Sequence, residues 1–138
     1  MNGEKDCLLC NPSKDVHQNI IFENDTCYFL MHSEQQDELE GCGVIIPKQH
    51  RANAFELTET EWKDTYHLLQ KAKKYLDKNF APAGYTIGWN VGEVSNQNIF
   101  HSHLHVIPRY NDEPLAGKGL RFWLKQTKNK RMKKENEY

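Results

Sequence analysis

The chain has 138 residues, of which 38% are hydrophobic and 27% charged, with four cysteines and a formal net charge of −1. That length suits one domain with its own apolar core, and four cysteines are too few for a disulfide scaffold. No apolar run approaches the roughly 20 residues of a membrane span, residues 1–5 lack a secretory pattern, and the near-neutral charge argues against broad nucleic-acid binding.

A cytoplasmic protein with reduced thiols is therefore expected, and there the opening Cys7-Leu8-Leu9-Cys10 reads as a metal or redox site. A thioredoxin-like reading needs a βαβ unit after the pair, and none is visible. Apolar runs at 19–22 and 27–31, joined by a turn at 23–25, predict a hairpin. An acidic insertion at 33–40 precedes a third strand at 43–47. Thr58-x-x-Glu61 is a capping box that opens a long helix. Trp62, Tyr66, Leu69, Leu76 and Phe80 follow at helical spacing as its core face, which leaves His67 and Lys73 on the surface. The helix ends before Pro82-Ala83-Gly84. Strands at 85–91 and 99–107 complete an α+β fold with a largely antiparallel five-stranded sheet, one long central helix and a C-terminal segment packed on it. Cys27 and Cys42 read as small buried residues. Residues 118–138 carry eight basic and two acidic side chains, so the first 117 residues hold a net −7. The tail from 125 onward reads as a solvated terminus, with Trp123 and Leu124 docking its beginning.

The most informative segment runs from Gln97 to Arg109, with histidines at 101, 103 and 105. On a strand these three share one face with Gln97, while Phe100, Leu104 and Val106 face the core. Three alternating imidazoles make a poor core but a useful site. They could hold a cation together, or one could act as a nucleophile with the others orienting it and binding an anionic substrate. Periodicity does not choose between the two.

His-x-His-x-His, two apolar residues and Pro108-Arg109 resemble the signature of the histidine triad family of nucleotide hydrolases and transferases. Three further segments occur in that family's order: Cys7-Leu8-Leu9-Cys10, found in many bacterial members; the hairpin Ile21-Phe22-Glu23-Asn24-Asp25; and the block from Gly41 through Pro47-Lys48-Gln49-His50. The resemblance spans about residues 7–110, leaving 111–138 as an extension of the same domain.

It implies that His103 attacks the α-phosphorus of a nucleotide to give a nucleotidyl-histidine that water then hydrolyses. An imidazole, nucleophilic when neutral and titrating near neutrality, suits that work. His105 would contact a phosphate oxygen or the leaving group, and Asn90, Gln97 and Asn98 would lie by the phosphate. Beside the resemblance, Arg109 with the basic stretch Lys118, Arg121 and Lys125 slightly favours a polyphosphate such as diadenosine tetraphosphate over a nucleoside phosphoramidate, because extra cations would neutralise extra phosphates. Cys7, Cys10, His50 and His101 would hold one structural zinc ion per chain, a closed set of two thiolates and two imidazoles. A homodimer is also implied. The chain departs from the family at His32, where an Asp or Asn holding the ribose hydroxyls is common, at Cys42 in place of a histidine, and at Asn98 in place of Ser or Thr. The alternative of a different class is a catalytically weak nucleotide-binding or scaffolding module of the same fold. A protein holding one metal ion with all three triad histidines is the remaining reading.

Overall fold

The computed structural model describes residues 6–133. Strands β1 (Gln18–Glu23), β2 (Cys27–His32), β3 (Gly43–Pro47), β4 (Gly84–Gly88) and β5 (Leu104–Arg109) form one open sheet in the order β1-β2-β3-β5-β4. Every neighbouring pair is antiparallel. A single long helix, α1 (Glu59–Phe80), separates β3 from β4. Among the described residues no helix is long and apolar enough to cross a membrane.

The two-residue period of the strands divides the sheet into two faces. Cys27, Phe29, Met31, Ile45, Leu104 and Val106 point to α1 and meet Leu68, Ala72 and Leu76 in the main core. Leu30 and Ile46 point the other way and are covered by Leu9 from the N-terminal segment, with Val44 and Ile99 beside them. On this second face His105 pairs with Val44, and Val44 with Leu30. That row becomes the floor of the site. Gly43 lets β3 lie close to β2, because a Cβ there would stand 2.6 Å from the Leu30 carbonyl oxygen.

The buried face of α1 matches the expected one at Leu76, with Leu69 and Phe80 packed against it, but not at its start. Thr65, Leu68, Ala72 and Leu76 are buried, continuing from Glu61, whereas Trp62 and Tyr66 are 43% and 57% exposed. Aromatic size misled the periodicity. Small Ala72 and Thr65 let the helix approach the sheet closely, and the larger rings lie on the outer flank, where Trp62 meets Trp89 edge-on. His67 and Lys73 are on the surface and Cys27 and Cys42 are buried, as expected.

The capping box is formed in both directions between Thr58 and Glu61. Glu61 also takes Arg51 Nε on both carboxylate oxygens, at 3.0 and 3.1 Å, while buried itself. Burial pushes this carboxyl up, but Arg51 and the Thr58 amide outweigh burial and hold it below its ordinary value of 4.5. A carboxyl lowered in the fold contributes stability that is full above the unfolded value and is lost as pH falls. Arg51→Ala is therefore expected to cost about 3 kcal/mol, by leaving a buried carboxylate unpaired. The difference from wild type should shrink below about pH 4.5, as read by urea denaturation at several pH values. A difference that does not change with pH would remove this role of the pair.

The C-terminal segment is anchored differently from the expectation. Trp123 and Leu124 are 57% and 67% exposed and do not dock it. Arg109 does, by donating to the Leu115 and Lys118 carbonyls. The tail residues from 134 onward lie outside the described residues.

Candidate active site and metal cluster

The segment before β5 is not strand. Ser102 N donates to the Arg51 carbonyl at 2.6 Å, and Gln97 Nε2 to the Ala52 carbonyl at 2.6 Å. The loop after β3 thus accepts one backbone and one side-chain bond from this segment. β5 begins at Leu104, so only His105 of the three histidines lies on a strand. Phe100, expected in the core, is 48% exposed. β4 likewise ends at Gly88, leaving Trp89 and Asn90 beyond it.

This break sends the histidines to two places. His101 is fully buried, and its Nε2 lies 2.7 Å from the Pro47 carbonyl. A carbonyl accepts only, so Nε2 carries the proton and Nδ1 the lone pair. That lone pair faces Cys7 Sγ at 3.4 Å and Cys10 Sγ at 3.5 Å. His50 Nδ1 lies 3.3 Å from Cys10 Sγ, and all four donor atoms lie within 4.8 Å of one another.

Cys7, Cys10, His50 and His101 can hold a metal ion, and the donors fit one. An imidazole lone pair directed at two sulfurs is reconciled by a cation between them. A tetrahedral site with ~2.3 Å metal–sulfur and ~2.0 Å metal–nitrogen bonds has S···N edges of about 3.5 Å, close to the observed distances. The Pro47 carbonyl orients the His101 ring from behind. The arrangement of all three triad histidines on one ion is not formed, since His103 and His105 lie elsewhere.

His103 and His105 line a cleft on the second face of the sheet, their rings 4.9 Å apart and edge to face. His103 Nδ1 donates to the His101 carbonyl at 2.8 Å, which leaves Nε2 with the lone pair. Burial and the neighbouring His103 push His105 down, so it is neutral near neutrality. Asn90, Asn96 and Asn98 supply amides at this end of the cleft, and Leu9, Leu30, Val44 and Ile99 supply its apolar wall. No carboxylate lines the cleft among the described residues. An anion flanked by imidazoles and amides, with a flat apolar group against Leu30 and Val44, suits this combination.

Two expected site residues are placed elsewhere. All five Arg109 N–H donors are used, on both Glu113 oxygens, Thr86 Oγ1 and the Leu115 and Lys118 carbonyls. Arg109 thus staples the C-terminal segment to β4 and has no donor left for a phosphate. Gln97 is buried, with its amide bonded to Gly92 N and the Ala52 and Ile99 carbonyls. It shapes the loop that carries His101 and does not line the cleft. His32 does line the cleft, but Nε2 donates to Asp15 at 3.0 Å and Nδ1 accepts from Glu34 N at 3.3 Å. It offers a ring face rather than a free nitrogen. Sequence reasoning missed Gln18, Gln35, Gly43 and Asn96, and the apolar wall of Leu9, Leu30, Val44 and Ile99. An apolar residue between two cysteines was the one available signal for Leu9. Gln18 enters only through its pairing with His32 across the hairpin.

A family model described as "HIT domain" matches residues 13–112. The "Protein hit" of Bacillus subtilis is 29% identical over 111 residues, covering 80% of this chain and 75% of that protein. An adenosine 5'-monophosphoramidase of Schizosaccharomyces pombe is 32% identical over 80 residues, 58% of this chain and 57% of the relative. The crystal structure of a HIT family protein from Bacillus anthracis superposes with a TM-score of 0.69 at 27% identity, covering 78% of this chain and 75% of that one. The five-stranded antiparallel sheet with one long helix is the fold of these HIT family structures. The chain belongs to the HIT domain family.

Proposed function

We propose that this chain is a nucleotide hydrolase that cleaves an adenosine phosphoramidate at its α-phosphorus through a nucleotidyl-histidine on His103. The observation that carries this reading is the His103 Nδ1 bond to the His101 carbonyl at 2.8 Å, which makes Nε2 the nucleophilic atom beside the cleft. His103 Nε2 attacks phosphorus, the P–N bond breaks, and the departing amine takes a proton from solvent water. Water then attacks the same phosphorus and gives up a proton to solvent, the P–Nε2 bond breaks, and AMP leaves with the imidazole restored. Neutral His105 and the Asn98 and Asn90 amides bind the phosphoryl oxygens as charge builds on them. Leu30, Val44 and Ile99 take the base, and the His32 ring borders the sugar.

The amine leaving group is preferred to a polyphosphate for two reasons. Arg109, the cation best placed in sequence to neutralise further phosphates, is committed to the C-terminal extension, and one relative is an adenosine 5'-monophosphoramidase. Chromatography of reactions with AMP-lysine phosphoramidate and with diadenosine tetraphosphate should show the first turned over at least ~10-fold faster. Arg109→Ala should leave that ratio unchanged. A ratio that favours the tetraphosphate and collapses in Arg109→Ala would return Arg109 to the site.

The ion in this reading is zinc, because two thiolates and two imidazoles make a closed tetrahedral set with no open position, which is a structural site. The protein acts in the cytoplasm as a homodimer, with the outer flank of α1 around Trp62 and Tyr66 as the contact face. Light scattering of the purified chain tests this.

A further inference from the structure

The metal cluster has a second chemistry available to it. Cys7 and Cys10 are only partly buried, whereas Cys27 and Cys42 are buried, and burial pushes both of those thiols up. Of the two residues between this partly buried pair, Leu9 is 4% exposed, packs on Leu30 and Ile46, and lines the cleft that holds His103 and His105. His101, bonded through Nδ1 to the same cluster, accepts the His103 Nδ1 proton on its carbonyl. The cysteine pair is thus joined to the cleft by two separate connections. We propose that Cys7 and Cys10 form a peroxide-sensitive modification site whose oxidation releases the metal ion and disables the nucleotide cleft through Leu9 and His101.

The chemistry balances with a hydroperoxide as oxidant. Cys7 and Cys10 are interchangeable here: one thiolate attacks a peroxide oxygen and, after protonation, leaves a sulfenic acid and one water. The other thiolate attacks that sulfur, the S–S bond forms, and a second water departs with a second proton. In total two thiolates, two protons and one hydrogen peroxide give one disulfide and two waters, with two electrons passing from sulfur to oxygen.

A disulfide draws the sulfurs to about 2.05 Å and removes both anionic donors from the cluster. His50 and His101 alone bind a divalent ion far more weakly, so the ion leaves. The turn at 7–10 must tighten, which withdraws Leu9 from between Leu30 and Ile46. The loop at 99–103 loses the constraint that aims the His101 carbonyl at His103. Thiol reductants and fresh metal reverse each change.

This inference rests on the zinc reading above, and the test separates the two. Reduced wild-type protein is first analysed for zinc. It is then treated with hydrogen peroxide while zinc release is followed with a chromogenic chelator, remaining thiols are titrated, and disulfides are located by peptide mass mapping. AMP binding is measured by calorimetry before and after. One zinc should be released per disulfide, the bridge should join Cys7 to Cys10, and Cys27 and Cys42 should stay reduced. AMP affinity should fall by roughly tenfold or more, within the usual size of coupling between linked sites, and return with dithiothreitol and zinc. Reduced protein without zinc would remove the metal reading and the switch together. Zinc-loaded protein that keeps its metal and thiols under peroxide would overturn the switch alone. So would metal release with AMP affinity unchanged, because it would show that Leu9 and His101 do not couple the two sites.

Discussion

Replacing His103 by alanine is expected to lower kcat for AMP-lysine phosphoramidate by ~10⁴-fold or more, since removing the nucleophile of a covalent mechanism takes away the reaction path and not merely an assisting group. AMP affinity should change only several-fold, because His105, the amides and the apolar wall around Leu30 and Val44 remain. The fold should persist, since His103 is partly exposed and lies outside the main core. Chromatographic assay of AMP release, calorimetric AMP binding and circular dichroism on the same samples check all three points. Rapid acid quench of wild type should also trap AMP on the peptide that carries His103. His105→Ala should cost less, about 10²-fold, as expected for a group that assists proton transfer or binds charge. An alanine variant that keeps turnover would place the nucleophile elsewhere. A wild type that binds AMP and turns over neither compound would favour the nucleotide-binding module, and would point to His32 and Asn98 as the changes responsible.

Removal of the metal should have the second largest effect, and it should fall on stability before it falls on chemistry. The cluster joins residues far apart in the chain: Cys7 and Cys10 at the start, His50 after β3, and His101 before β5. Each connection holds loops that otherwise lack strand pairing. With free zinc about a thousandfold above its dissociation constant, binding contributes ~4 kcal/mol of stability. In a domain of this size that corresponds to about 10–15 °C in Tm. Scanning calorimetry of zinc-loaded and chelator-treated protein should show this shift, and re-addition of zinc should reverse it. Cys10→Ser should lower zinc content by elemental analysis and shift Tm in the same direction, while Cys42→Ser should leave zinc content intact. An unchanged Tm after complete zinc removal would mean that the loops are held by their protein contacts alone, chiefly Ser102 N to the Arg51 carbonyl and Gln97 to the Ala52 carbonyl.

How far the site was legible in the sequence differed from residue to residue. The capping box at Thr58 and Glu61, the first hairpin, the third strand at 43–47 and the end of the helix before Pro82 are local, and the structure has them where the sequence puts them. Each depends on the chemistry of a few neighbouring residues, such as a hydroxyl at the right distance from a carboxylate or a proline that cannot continue a helix. The histidine segment was legible as chemistry but not as geometry. Strict alternation argued for one face of a strand. In the structure Ser102 N bonds to the Arg51 carbonyl and the Gln97 side chain to the Ala52 carbonyl instead, and His101 lies buried while His103 and His105 face the cleft. No local pattern reports that exchange, because the competing hydrogen-bond partners are some fifty residues away in the chain.

The sequence by itself determined the kinds of group available: two thiols and an imidazole able to join His101, two further histidines at 103 and 105, and an antiparallel sheet with one helix. These follow from residue type, spacing and turn chemistry, which act over a few residues. Only the tertiary structure decided how the polar side chains were allotted. It committed Arg109 to Glu113 and the C-terminal segment, Gln97 to the loop backbone and both His32 nitrogens to Asp15 and Glu34, and it brought Leu9 and Gln18 into the cleft. Those outcomes were settled by competition among distant donors and acceptors for a limited number of bonds once the sheet had closed, and such competition exists only in the folded chain.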